Sequence, residues 1–211
     1  MNTDNITINA HSSIRIKTGA GVVYFDPFKI GEPSNDADYV FLTHDHFDHF
    51  SPEDMEKVIK NETVIITPES TRESIESFSR KVSRIICVVP GKEYTAGGLS
   101  FQTVPAYNPA KKFHPKENGW CGYVLCTDGV RYYVAGDTDK NPENSLVKCD
   151  IAFIPAGGTY TFDHREAAEF ANLIKPAIAI PTHYGCIVGD KTDGDAFAAL
   201  LSSGILPVLK L

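Results

Sequence analysis

Apolar and polar positions alternate in short runs along the first quarter of the chain. Ile6–Ile8 and Ile14–Lys17 show the period-two pattern of half-buried strands, and Val22–Phe25 follows as a third, ending at Asp26-Pro27. Tyr39–Leu42 is apolar without interruption, which predicts a strand buried on both faces. Ser51 as N-cap, Pro52 in the first turn, then Glu53 and Asp54 near the positive helix end predict the first helix. Val64–Ile66 reads as a strand and Thr71–Arg80 as a second helix. From Ile85–Val89 the pattern is β again: Glu93–Thr95, Leu99–Val104, Gly122–Cys126 and Arg131–Ala135, the last two joined by the hairpin signal Asp128-Gly129. Ile151–Ile154 and Ala177–Ile180 are further strands. Between them Asp163 and Glu166 form a capping box for a helix with an apolar stripe of Ala167, Phe170, Ala171 and Ile174, ended by Pro176. A helix over Asp195–Leu201 and a strand over Leu206–Leu209 complete the chain. No repeat, low-complexity tract or linker interrupts residues 1–211, so one domain is expected, with two sheets and helices outside them.

At 211 residues the chain is long enough to bury a sizeable core, and its 42% hydrophobic and 22% charged composition is that of an ordinary globular protein. A formal charge of −7 with scattered lysines argues against a nucleic-acid partner. No apolar run is long enough to cross a bilayer, and the polar start Met1-Asn2-Thr3-Asp4-Asn5 is not that of a signal peptide. The five cysteines are odd in number and none forms a C-x-x-C pair, so reduced thiols and a cytoplasmic location are expected. Of these only Cys186, three residues after His183, stands near candidate chemistry.

That chemistry begins directly after Tyr39–Leu42. His44-Asp45-His46-Phe47-Asp48-His49 places three imidazoles and two carboxylates in six residues, the ligand types of water-activating metal sites. In extended backbone His44 and His46 project to one side and can grip one ion, while Asp48 and His49 reach a second beside it. Asp137, in Gly136-Asp137-Thr138 after a strand, can bridge two ions through its two oxygens. His183 follows another buried strand. Asp26, at a strand end, is suited to accept a hydrogen bond from a ligand imidazole. No G-x-S-x-G elbow and no glycine-rich phosphate loop opening a helix is present, so serine-hydrolase and nucleotide-driven chemistry find no support.

His44-x-His46-x-Asp48-His49, with Gly136-Asp137-Thr138 and His183, resembles the H-x-H-x-D-H pattern of the metallo-β-lactamase superfamily over nearly the whole chain. His11-Ser12-Ser13, Asp26-Pro27-Phe28 and Pro155-Ala156-Gly157-Gly158-Thr159 are similar to its ascorbate-6-phosphate-lactonase-like branch of metal-dependent hydrolases. The resemblance implies an α+β fold, a four-layer αββα sandwich, with two divalent ions at one edge. Zn²⁺ is expected first, with Mn²⁺ or Fe²⁺ as alternatives. It also implies that His11 lies near the site in a supporting or substrate-contacting role.

One departure stands out. Relatives supply a further histidine where this chain reads Pro105-Ala106-Tyr107-Asn108. His114, a few residues on, or the weaker oxygen donor Asn108 could replace it. The alternative for His114 is a loop residue that holds an anionic substrate with Lys111, Lys112 and Lys116. The expected activity is hydrolysis of a small ester, lactone or phosphoester, with Asp48 orienting the attacking hydroxide. The competing expectations are a phosphodiesterase acting on nucleic acid or a phospholipid head group, and a non-catalytic regulatory protein with a degenerate metal site. A small-molecule partner is expected and no membrane; a homo-oligomer is left open.

Overall fold

The computed structural model describes residues 2–211; Met1, with its part in the expected polar start, lies outside the described residues. Two mixed sheets stack face to face. The first takes its strands in chain order: β1 (Ile6–Ala10), β2 (Ser13–Thr18), β3 (Gly21–Phe25), β4 (Tyr39–Phe41), β5 (Val64–Pro68) and β6 (Arg84–Val88). β1, β2 and β3 pair antiparallel, and β3 to β6 pair parallel.

The second sheet contains β7 (Glu93–Ala96), β8 (Leu99–Pro105), β9 (Cys121–Thr127), β10 (Val130–Val134), β11 (Ile151–Pro155), β12 (Ile178–Thr182) and β13 (Leu206–Pro207), in the order β13-β12-β11-β10-β9-β8-β7. Its first four strands form an antiparallel meander, and its last four are parallel. Asp128 and Gly129 both take positive φ (52° and 73°) at the β9–β10 turn, as the twist of a tight hairpin demands.

The inner faces make the main core. Phe41 of the first sheet meets Phe101 and Tyr123 of the second edge-on, with ring centroids at 5.0 and 5.1 Å, and Ile16, Leu125, Phe153 and Ile180 fill the space around them. The uninterrupted run at β4 follows from this packing. Tyr39 and Phe41 face the inner core, while Val40 and Leu42 face an outer layer with Met55 and Val58 of α1 (Pro52–Val58). On the far side α3 (His164–Ile174) and α4 (Asp193–Ala199) cover Tyr133, Ala152, Ile154 and Ala179. The result is the helix–sheet–sheet–helix sandwich of an α+β protein. No helix among the described residues is long and apolar enough to cross a membrane.

The expected caps are present. Ser51 accepts from the Asp54 amide, and Asp163 and Glu166 form a full capping box before Lys175 closes α3 in the left-handed region. The stretch Thr71–Arg80 departs from a continuous helix. It breaks into a 3₁₀ turn (Glu69–Thr71), the single turn α2 (Arg72–Ile75) and another 3₁₀ turn (Glu76–Phe78). Thr71 spends its hydroxyl on the Pro68 carbonyl (2.9 Å), the kind of local side-chain bond that competes with helix propagation. Thr71, Ile75 and Phe78 are still buried at helical spacing, so the period was real although the helix is not continuous.

The topology places one edge of each sheet together. β1, β3 and β4 run in one direction in the first sheet, as do β8, β10 and β12 in the second, so the segments leaving them collect at one end of each sheet. Tyr123 Oη donates to the Leu42 carbonyl (2.7 Å), the Cys121 amide to the Thr43 carbonyl (3.2 Å) and the His183 amide to the His11 carbonyl (3.0 Å). These bonds tie the two edges together where the candidate ligands emerge.

Candidate metal centre

Six of the seven histidines meet at this edge, and all but His46 are buried. Their ring nitrogens and two aspartates fall into groups whose ligand atoms lie within 4.8 Å of one another: His44, His46 and His114; His11, Asp48, His49 and His183; and His44, His49 and Asp137. Asp137 stands between the first two. Its Oδ1 lies 3.2 Å from His49 Nε2, and its Oδ2 lies 3.2 Å from His114 Nε2 and 3.1 Å from His183 Nε2. Asp48 Oδ2 is 3.1 Å from His11 Nε2 and 3.6 Å from His183 Nε2.

Two of the imidazoles are oriented from behind by one network. Asp26 is fully buried and accepts from the Thr43 amide (2.8 Å), the Thr43 hydroxyl (2.7 Å) and His49 Nδ1 (2.7 Å). Since Thr43 Oγ1 gives its proton to this carboxylate, its lone pair accepts from His44 Nδ1 at 3.0 Å. Both imidazoles then carry hydrogen on Nδ1 and turn an Nε2 lone pair toward the cluster, the state required of a metal ligand. Burial pushes the pKa of Asp26 upward, and the His49 and Thr43 contacts oppose it.

The site is built under backbone strain. His11, Asp26, His114 and His183 have φ of 54°, 45°, 58° and 58°, in the left-handed region that residues bearing a Cβ rarely occupy. Electrostatics alone do not satisfy the cluster. His11 Nδ1, His49 Nε2, His114 Nε2, Asp137 Oδ1 and both nitrogens of His183 are buried without a hydrogen-bond partner, although several lie close to a carboxylate. His44 Nε2 and His46 Nδ1 face each other at 3.1 Å. Orphaned donor atoms at this density are costly unless a cation or protons hold them together. The set of imidazoles and carboxylates therefore fits divalent metal. Burial lowers the imidazole pKa of His44 well below its usual range and that of His11 to about 4, which favours the neutral, ligating form. Asp137 is held well below the carboxylate range: burial acts to raise it, but the neighbouring His183 and His49 outweigh that effect.

The gap left by Asn108 is filled from further along the chain. His114 groups with His44 and His46, their ring nitrogens within 4.8 Å of one another, and Asn108 Oδ1 is buried without a partner. The loop turns back so that the Asn108 amide donates to the His114 carbonyl at 2.9 Å, while Asn108 Nδ2 donates to the Tyr160 carbonyl at 2.6 Å and lies 3.2 Å from His114 Nδ1. Asn108 thus presents nitrogen, and it braces the loop.

Two lysines of the expected anion cradle already have partners. Lys111 Nζ is taken by Asp139 (2.7 Å) and the Thr161 carbonyl (2.5 Å), and Lys116 Nζ by Glu143 (2.5 Å). Acidic neighbours distant in sequence neutralise both lysines, leaving Lys112 exposed. His11 comes closer than a purely supporting role requires, since its ring is 3.8 Å from that of His183 and it groups with Asp48, His49 and His183. His164 is the histidine left out; it bonds Asp193 at 3.0 Å and ties α3 to α4.

Two residues were not among the sequence-derived candidates. Thr43 has no ligand chemistry, and its only signal is its place between a buried strand and His44. Trp120 is buried with its ring 4.7, 4.8 and 5.5 Å from those of His44, His46 and His114. A surface cleft of about 830 Å³ along β8 contains none of these residues.

Known proteins share this architecture. A metal-dependent hydrolase named UPF0173 from Archaeoglobus fulgidus is 30% identical over 199 residues, covering 85% of this chain and 82% of its own. Its counterpart in Lysinibacillus sphaericus is 27% identical over 220 residues, covering 97% and 96%. A solved protein of Parabacteroides distasonis, described as a candidate metal-dependent hydrolase, superposes with a TM-score of 0.84 at 32% identity, over 98% of this chain and 92% of that one. Residues 5–183 match the family described as the β-lactamase superfamily domain, and with these relatives the chain belongs to the metallo-β-lactamase superfamily as a metal-dependent hydrolase.

Proposed function

We propose that this protein hydrolyses a small ester, lactone or phosphoester at a two-metal centre. His44, His46 and His114 would hold one divalent ion and Asp48, His49 and His183, with His11 beside them, a second; Asp137 lies between. Zinc is the first expectation, and manganese or iron(II) would suit the same donors. Such ions supply water ionised near neutral pH and a Lewis acid for the substrate's carbonyl or phosphoryl oxygen.

The chain's own residues do the positioning. Burial acts to raise the pKa of Asp48, but its bonds to His11 and His183 hold it well below the carboxylate range, so it would stay ionised and orient the attacking water as an acceptor. Asp26 and Thr43 lock the rings of His49 and His44, so the donor atoms need not reorganise during turnover. With Lys111 and Lys116 paired to carboxylates, the lysine cluster gives less support to an anionic substrate.

The observation that supports this reading most is the convergence of buried, partnerless ligand atoms on His11, His49, His114, His183 and Asp137. Turnover on a panel of esters, lactones and phosphodiesters, with metal content measured in parallel, tests it. His183→Ala and Asp137→Ala should each abolish turnover in protein that still unfolds cooperatively. Wild-type rates in either variant would refute the two-metal mechanism.

A further inference from the structure

Exposed apolar side chains stand on the loops around the histidine cluster. Phe47, between His46 and Asp48, is 68% exposed, and Phe113, next to His114, is 47% exposed. Both exposed phenylalanines among the described residues therefore sit beside candidate ligands. Scattered exposed apolar side chains need no explanation, but a contiguous group around a reactive site does.

Ring contacts run from each phenylalanine toward the cluster or its loops. Phe47 meets Phe28 edge-on at 6.4 Å, and Phe28 lies 6.3 Å from His11. Lys29 Nζ sits 5.6 Å from the centre of the Phe28 ring and donates to Cys186 Sγ at 3.0 Å, next to Ile187, which is 39% exposed. The rings of His46 and His114, chain neighbours of Phe47 and Phe113, lie 5.1 Å apart, and Phe113 packs edge-on against Tyr160 at 4.7 Å. Three loops that carry candidate ligands thus each present an exposed apolar side chain, while Lys111 and Lys116 are spent on carboxylates.

We infer that the substrate carries an apolar acyl or aryl group seated on Phe47, Phe113 and Ile187, and that these three residues set its specificity. The inference rests on the hydrolase reading above and narrows it to hydrophobic esters or lactones.

The test is calorimetric titration of the zinc-loaded protein with straight-chain carboxylates from acetate to octanoate, and with inorganic phosphate. Affinity should rise about twofold or more per methylene, where complete burial would give about fourfold, and octanoate should bind more tightly than phosphate. Phe47→Ser with Ile187→Ser should flatten the series. Phe113→Ser, on a separate loop, should do so independently, whereas Leu146→Ser, on an exposed residue away from the cluster, should keep the slope. Circular dichroism verifies that each variant is folded.

A flat series in the wild type, or phosphate binding as tightly as octanoate, would overturn the inference. So would a rim that proves to be a contact between copies, seen as Phe47→Ser splitting an oligomer in size-exclusion chromatography with the series unchanged. Because binding is the readout, a steep series without turnover on any ester upholds the apolar seat and refutes the hydrolase reading. Turnover with a flat series does the reverse.

Discussion

Thr43 offers the sharpest test of how the centre is held. Its hydroxyl lies in a solvent-free position, donating to Asp26 at 2.7 Å and accepting from His44 Nδ1 at 3.0 Å. Thr43→Val keeps the side-chain shape and deletes both bonds. The bond to the carboxylate is worth about 1.5–3 kcal/mol and the bond to the imidazole about 0.5–1.5 kcal/mol, together about 2–4.5 kcal/mol. Part of that loss falls on the stability of the metal-free protein, because Asp26 retains only its contacts with the Thr43 amide and His49. The rest falls on the orientation of His44, and the loss of such a supporting bond lowers metal affinity about 10- to 100-fold, or about 1.4–2.8 kcal/mol. Competition with a zinc chelator measures the affinity, and urea unfolding of the metal-free protein measures the stability. Thr43→Ser, which keeps the hydroxyl, should stay near wild type. Unchanged zinc affinity in Thr43→Val would refute the claim that this hydroxyl fixes the His44 tautomer.

Two further expectations follow from the geometry. His114→Ala should lower bound metal from two toward one ion per chain by elemental analysis, and full loading would return His114 to the substrate side. Asp54 is buried: burial raises its pKa, but Ser51, Lys57 and the amides of Lys29 (2.8 Å) and Ile30 (3.0 Å) overcome this, and the net shift is downward. A depressed carboxylate contributes stability that is complete above its unfolded pKa and is lost as pH falls through the folded one. The stability gap between wild type and Asp54→Asn in urea unfolding should therefore be widest near neutrality and narrow below about pH 4; a gap that is independent of pH would contradict it.

Much of the fold could be read from local pattern. Alternation marked β1 and β2, the unbroken run at Tyr39–Leu42 marked a strand with apolar layers on both sides, and Asp163 with Glu166 marked the start of α3. The stretch after β5 misled because its burial has helical spacing while Ser and Thr side chains compete for the backbone, and only the folded context breaks it into single turns. The H-x-H-x-D-H segment was equally legible, because its ligands are neighbours in sequence and a strand end already aims them.

What the sequence by itself determined was therefore local: which segments pair or coil, and which residue types stand at strand ends. Tertiary structure alone decided which of them meet. His114 reaches His44 and His46 only because its loop folds back onto Asn108 and Tyr160, 52 residues apart in sequence. Lys111 and Lys116 lose their availability to Asp139 and Glu143, and His11 arrives from the opposite end of the chain to stack on His183. Hydrophobic period and turn chemistry act over a few residues, whereas the meeting of two sheet edges depends on how the whole core packs. That packing turns a six-residue motif into a centre with ligand atoms drawn from five separate segments.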